Sequence, residues 1–136
     1  MESDSVMADR LPSVLLRHTQ DGDVHFDWLL GVPGMGKSER LWTWRIAVPS
    51  CDWVKGQSYE MQRIFDHRAQ YLTYEGEISG NRGYVERVDE GTHHPVVWSG
   101  EKITTRMELR HFKGIAIMEC LNEDQWQVTF KASGSR

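Results

Sequence analysis

Three side chains in the first third of the chain could share one cation. His25 and Asp27 stand two apart in the run Val24 to Leu30, where Val24, Phe26 and Trp28 alternate with His25, Asp27 and Leu29. Alternation with a period of two predicts a strand, so the imidazole and the carboxylate project from one face. His18 lies at the end of a predicted strand, Val14 to His18, and a hairpin through Asp21-Gly22-Asp23 brings it beside that face. Two imidazole nitrogens and one carboxylate oxygen leave coordination positions open for water or substrate. Such a set suits manganese, zinc or iron(II). The plainer alternative is a row of solvated polar positions on an amphipathic hairpin.

His67 and Tyr71 are four residues apart in a stretch, Arg68 to Leu72, that reads as one helical turn, which would set them on a common face. Histidine can move a proton or meet a phosphate as a cation, and tyrosine offers a hydroxyl donor. Glu75-Gly76 follows, then the glycine-rich connection Ser79-Gly80-Asn81-Arg82-Gly83, in which Arg82 is a candidate phosphate contact. His93-His94, before Pro95, reads as a solvated loop pair. Gly31 to Ser38 matches the nucleotide-binding phosphate loop letter for letter. That motif works only between a buried parallel strand and a helix. The strand before it alternates and carries His25 and Asp27, and the ten residues between Ser38 and Pro49 are rich in Trp, Thr, Ile and Val. A hairpin loop between antiparallel strands is the better reading.

The elements that must position these residues are mostly strands. Beyond the two already given, Leu41 to Val48 places Trp42 and Trp44 on one face, and Met61 to Phe65 reads as a further strand. Tyr84 to Val88 closes at Asp89-Glu90-Gly91. Ile103 to Leu109 alternates, and Ile115 to Leu121 pairs with Gln125 to Phe130 across a short turn. Seven or eight short strands without a long helix predict a mainly β fold, a small antiparallel barrel over residues 13–131. Residues 1–12 read as a polar leader and 132–136 as a tail. The six tryptophans are read as core, and Cys51 and Cys120 as packing residues in a reducing, cytoplasmic setting. With 16 Lys+Arg against 20 Asp+Glu, the net charge of −4 excludes nucleic-acid binding by bulk positive charge, though not by a local patch. No apolar run is long enough to span a bilayer as a helix, so no membrane partner is expected.

Taken in order, these residues resemble the phosphoesterase domain of bacterial DNA ligase D, over Leu15 to Phe130. The resemblance rests on His18 followed by His25-Phe26-Asp27, and on a Trp strand ending in Ala47-Val48-Pro49. It continues with His67-Arg68-Ala69-Gln70-Tyr71 leading into Tyr74-Glu75-Gly76. Asp89-Glu90-Gly91-Thr92, Gly100-Glu101-Lys102 and the closing strand Trp126 to Phe130 complete it. It implies a β-barrel that removes 3′-phosphates and 3′-ribonucleotides from DNA or RNA ends in repair, with manganese (or zinc or cobalt) as cofactor. Carried over residue by residue, His18, His25 and Asp27 are the metal ligands, Asp27, His67 and Tyr71 the catalytic group, and His67 the phosphate contact.

The chain also departs from the family. The family's arginine two residues beyond the Asp is Leu29 here, and a lysine after Ala-Val-Pro is Ser50. The His18–His25 spacing is one residue longer than usual, the glycine loop after Gly76 is shorter, and the basic leading arm is not recognisable. Lost cations predict a weaker grip on phosphate, with Arg45 or Arg82 as substitutes, and a Leu29→Arg change is expected to raise activity. The chain thus reads as a free-standing relative acting on nucleic-acid 3′ ends, alone or with other repair proteins. The alternative is a catalytically weak barrel that serves as an end-binding or protein-binding module.

Overall fold

A computed structural model describes residues 10–34 and 40–133. Nine strands form one antiparallel sheet: β1 (Leu11–Gln20), β2 (Asp23–Leu30), β3 (Arg40–Ile46), β4 (Ser58–Arg68), β5 (Gly76–Glu77), β6 (Tyr84–Trp98), β7 (Lys102–Leu109), β8 (Lys113–Asn122) and β9 (Gln125–Lys131). The order β1-β2-β3-β4-β9-β8-β7-β6, with β1 also pairing β6, closes eight strands into a ring, and β5 adds two residues to the outer edge of β6. The expected antiparallel barrel is therefore present, and closure gives each of its eight strands a partner on both sides over part of its length. No helix is long and apolar enough to cross a membrane among the described residues.

Alternation along the strands sorts side chains into two apolar clusters. Leu15, Trp28, Leu30, Trp44, Met118 and Phe130 meet inside the barrel, where Trp53 and Trp126 are also buried. Trp42 and Trp98 complete this core from its edge, their rings 4.8 Å apart. The opposite parity of the first strands carries Val14, Leu16, Leu29, Leu41 and Val85 to the outer surface. There they are roofed by Tyr71 and Leu72 of a 3₁₀ turn (Ala69–Leu72) and by Ile78. Segment 69–83 is thus a flap held against the outside of the barrel.

Several expectations need correction. β1 starts at Leu11, inside the stretch read as a leader. β4 extends three residues beyond both ends of the expected strand. The strand at Tyr84 does not stop at Asp89-Glu90-Gly91; it runs on to Trp98 because it changes partner, from β1 to β7, with both pairings overlapping at Gly91 to His93. A Cβ on Gly91 would collide with the Glu108 carbonyl, so only glycine permits this approach. Asp89 is buried, accepts hydrogen bonds from Ser50 Oγ and from the Glu90, Arg110 and His111 amides, and so ties the corner together. His93 is not solvated. It is buried in β6, its Nε2 donating to the Gly31 carbonyl (2.9 Å) while Thr105 Oγ1 donates to Nδ1 (2.7 Å). Cys120 packs on the core, but Cys51 is exposed.

Met35 to Ser38 of the phosphate-loop match lie outside the described residues. Its flanks, β2 and β3, pair antiparallel, which is not the parallel-strand frame that motif requires.

Candidate metal and phosphate site

The β1–β2 register sets His18 directly opposite His25, and Asp27 opposite Leu16 on β1 and Arg45 on β3. All of these side chains project from the outer face. His18 Nδ1 lies 3.0 Å from His25 Nε2, and His25 Nε2 lies 3.3 Å from Asp27 Oδ1. His18 Nδ1 is 3.7 Å from Asp27 Oδ2. The three groups converge as the spacing predicted, each offering a ligand atom within 4.8 Å of the others.

Which nitrogen of His18 is free is decided on the far side of its ring. Nε2 is 2.6 Å from the Arg82 carbonyl and must carry the proton, so the Nδ1 lone pair faces His25. That carbonyl arrives because Gly83, at φ +99°, lets the flap turn tightly over β1. A Cβ there would run into the Thr19 carbonyl and stand 3.0 Å from His18 Nε2.

Two observations test whether the residues fit a divalent ion. Asp27 Oδ1 is buried without a hydrogen-bond partner, an expensive state for a carboxylate oxygen and one that a bound cation would relieve. The spacings from His25 Nε2 to His18 Nδ1 (3.0 Å) and to Asp27 Oδ1 (3.3 Å) are also close to the edges of a coordination shell: at bond lengths of ~2.1 Å, adjacent ligands stand about 3.0 Å apart in an octahedron and about 3.4 Å in a tetrahedron. The donor set, nitrogen and carboxylate oxygen, suits manganese, zinc or cobalt. The residues fit.

His67 reaches this centre from β4, its Nε2 3.8 Å from Asp27 Oδ2. A β-bulge aims it. Thr43 pairs with Ile64 but Leu41 pairs with His67, so β4 spends three residues where β3 spends two. The extra residue puts His67, rather than Asp66 or Arg68, on the face of Asp27, and pushes Phe65 outward to 73% exposure. The His67 Nδ1–H points to the Phe65 carbonyl (3.3 Å), which leaves Nε2 for the cavity. Burial pushes the imidazole below its ordinary pKa, against the pull of Asp27. Tyr71 does meet His67, ring centroids 5.3 Å apart, but across a strand-to-3₁₀ junction and not on one helical turn.

Between the barrel and the flap lies a cavity of about 290 Å³. His18, Asp27, His67 and Tyr71 line it, together with four arginines: Arg40, Arg45, Arg68 and Arg82. Arg45 Nε is 3.8 Å from Asp27 Oδ1 and, like that oxygen, is buried without a hydrogen-bond partner. The Arg82 guanidinium is turned towards Ser79, its Nε donating to that carbonyl at 2.8 Å. Arg40 and Arg68 were not singled out from the sequence. Only the register shows that they face each other across β3 and β4. Leu29 is fully buried among Val14, Leu16 and Leu41. An arginine there would have to carry its charge through an apolar cluster, so Leu29→Arg is expected to destabilise the fold instead of restoring a contact.

No family model matches this chain, and neither does any curated protein sequence.

Proposed function

We propose that this protein is a divalent-metal-dependent phosphoesterase acting on 3′-phosphate or 3′-ribonucleotide ends of DNA or RNA, in the manner of the ligase D phosphoesterase domain it resembles. The observation that carries the reading is one cavity that combines His18 and Asp27 of the candidate metal triad, His67 with its Nε2 towards Asp27, and four arginines, in a molecule whose net charge is −4. An acidic protein that collects four guanidinium groups around one cavity has a place for an anion, and arginine suits phosphate.

His18, His25 and Asp27 would hold the ion, most suitably manganese. When bound, it polarises a phosphoryl oxygen and lowers the pKa of a coordinated water. The chain's own groups do the rest. Arg45 neutralises the phosphate on the Asp27 side, with Arg40 and Arg68 on the outer wall and Arg82 on the flap. His67 Nε2 faces the same space as Asp27 Oδ2, so a proton taken from the attacking water, or held towards a phosphoryl oxygen, resides at that atom. Tyr71 supplies a hydroxyl donor beside it. The flap, closing over the outer face, limits water around the reacting phosphate. Two free cysteines are consistent with a reducing compartment such as the cytoplasm, where ends awaiting ligation and other repair proteins would be encountered.

A 3′-phosphorylated primer-template assayed with manganese tests the reading. Release of phosphate by the wild type, and its loss in His25→Ala, is the expected result. If both proteins are equally inert with manganese, zinc and cobalt yet still bind the end, the site is an end-binding module and the enzyme reading is withdrawn.

A further inference from the structure

Phe65 is the most exposed large hydrophobic side chain among the described residues, at 73%. It is not a stray surface residue, because it lines the same cavity as His18, Asp27, His67 and the four arginines. Its ring lies parallel to that of His67, at 6° between planes and 5.3 Å between centroids. The bulge that turns His67 inward turns Phe65 outward, so one irregularity of β4 builds both. One face of the phenyl ring is occupied by the imidazole. Its other surroundings at the rim include Arg40 and Arg68, both exposed. A flat apolar ring beside a cationic rim is the pairing by which proteins hold single-stranded nucleic acid, the aromatic taking a base and the cations the backbone.

We propose that Phe65 is a substrate-selecting residue that stacks the terminal nucleobase of the strand whose 3′-phosphate enters the cavity. This rests on the function proposed above and adds a substrate class: ends that carry a base, in preference to abasic ends or small phosphate esters. The aromatic is placed to read the base because the phosphate is drawn to the arginines, His18 and His67 inside the cavity. The base is left at the mouth, where Phe65 stands.

A merely structural role for Phe65, keeping the His67 ring in place, would affect every substrate alike. The test therefore compares two ends. Oligonucleotides carrying a non-hydrolysable 3′-methylenephosphonate are titrated with protein and zinc, one ending in 2-aminopurine and the other in an abasic residue. The wild type is expected to quench the 2-aminopurine fluorescence and to bind the base-bearing end more tightly. Phe65→Ala should lose the quench and weaken binding of that end roughly five- to hundredfold, as for other base–aromatic stacks, while the abasic end binds as before. Phe65→Trp should retain the discrimination. If wild type and Phe65→Ala bind both ends with the same ratio, Phe65 does not select the base, and the phosphoesterase reading stands without it. If the wild type binds neither end, both ideas fall together.

Discussion

At the scale of single residues, the site depends on which nitrogen carries a proton. In the proposed site His18 would bind through Nδ1, because the Arg82 carbonyl holds the proton on Nε2, and that carbonyl is in reach because residue 83 is glycine. A divalent metal at a hundredfold excess over its Kd should stabilise the wild type by about 2.7 kcal/mol, a Tm rise of roughly 10 °C for a domain of this size. His25→Ala should show none of that rise and Gly83→Ala only part of it, both readable by calorimetry with manganese, zinc or cobalt. A full metal shift in His25→Ala would place the ion elsewhere. His93 offers a separate test, remote from the ligands. Burial pushes its pKa down to about 4, against 6.5 when exposed. A depressed histidine favours the native state above its unfolded pKa, and that contribution is lost as pH falls from 6.5 towards 4. The loss amounts to about 3 kcal/mol. Urea midpoints at pH 7 and pH 4.5 should converge for His93→Gln relative to the wild type, and parallel pH profiles for the two proteins would sink the assignment.

At the scale of elements, the bulge in β4 does most to build the site, and it is also where the sequence was least readable. The period-two pattern of Val24 to Leu30 and the short hairpin before it were enough to bring His18, His25 and Asp27 together, because regular strands convert spacing directly into face. His67 was found for its spacing to Tyr71, yet they meet across a junction of two elements. Arg40 and Arg68 carried no signal at all, because cross-strand neighbours depend on register, and the bulge shifts register by one. His93 was misread because a strand that exchanges partners at Gly91 looks, in one dimension, like a strand that ends. The Arg40–Arg68 pair makes its own prediction. Like charges directly opposite on a sheet are destabilising by a few tenths to about 1 kcal/mol, so Arg68→Gln should melt one to a few degrees above the wild type in anion-free buffer. With a saturating 3′-phosphorylated oligonucleotide the order should reverse, since the wild type alone gains from both guanidinium groups. A variant that is the more stable under both conditions would remove Arg68 from the binding surface.

At the scale of the whole molecule, a closed barrel supplies rigidity and the flap supplies the second wall. Arg87 fastens that flap, its side chain donating to the Leu72 carbonyl (3.0 Å) and its amide to Glu75 (2.7 Å). The charge distribution then sets how such a molecule can hold a polyanion. With a net charge of −4, the molecule as a whole repels a strand, while four arginines gather attraction at one cavity. Binding should therefore engage the end of a strand and little of its length. Each phosphate neutralised on a single strand contributes about −0.7 to the slope of log K against log salt. Two to four phosphates near the four arginines thus predict a slope of about −1.5 to −3. Fluorescence anisotropy between roughly 50 and 200 mM salt, with 3′-phosphorylated oligonucleotides of short and long length, should give the same slope for both. Affinity should also fall sharply when the terminal phosphate is removed. A slope that steepens with strand length would mean that the protein lies along the strand, and would move the functional surface away from the cavity between barrel and flap.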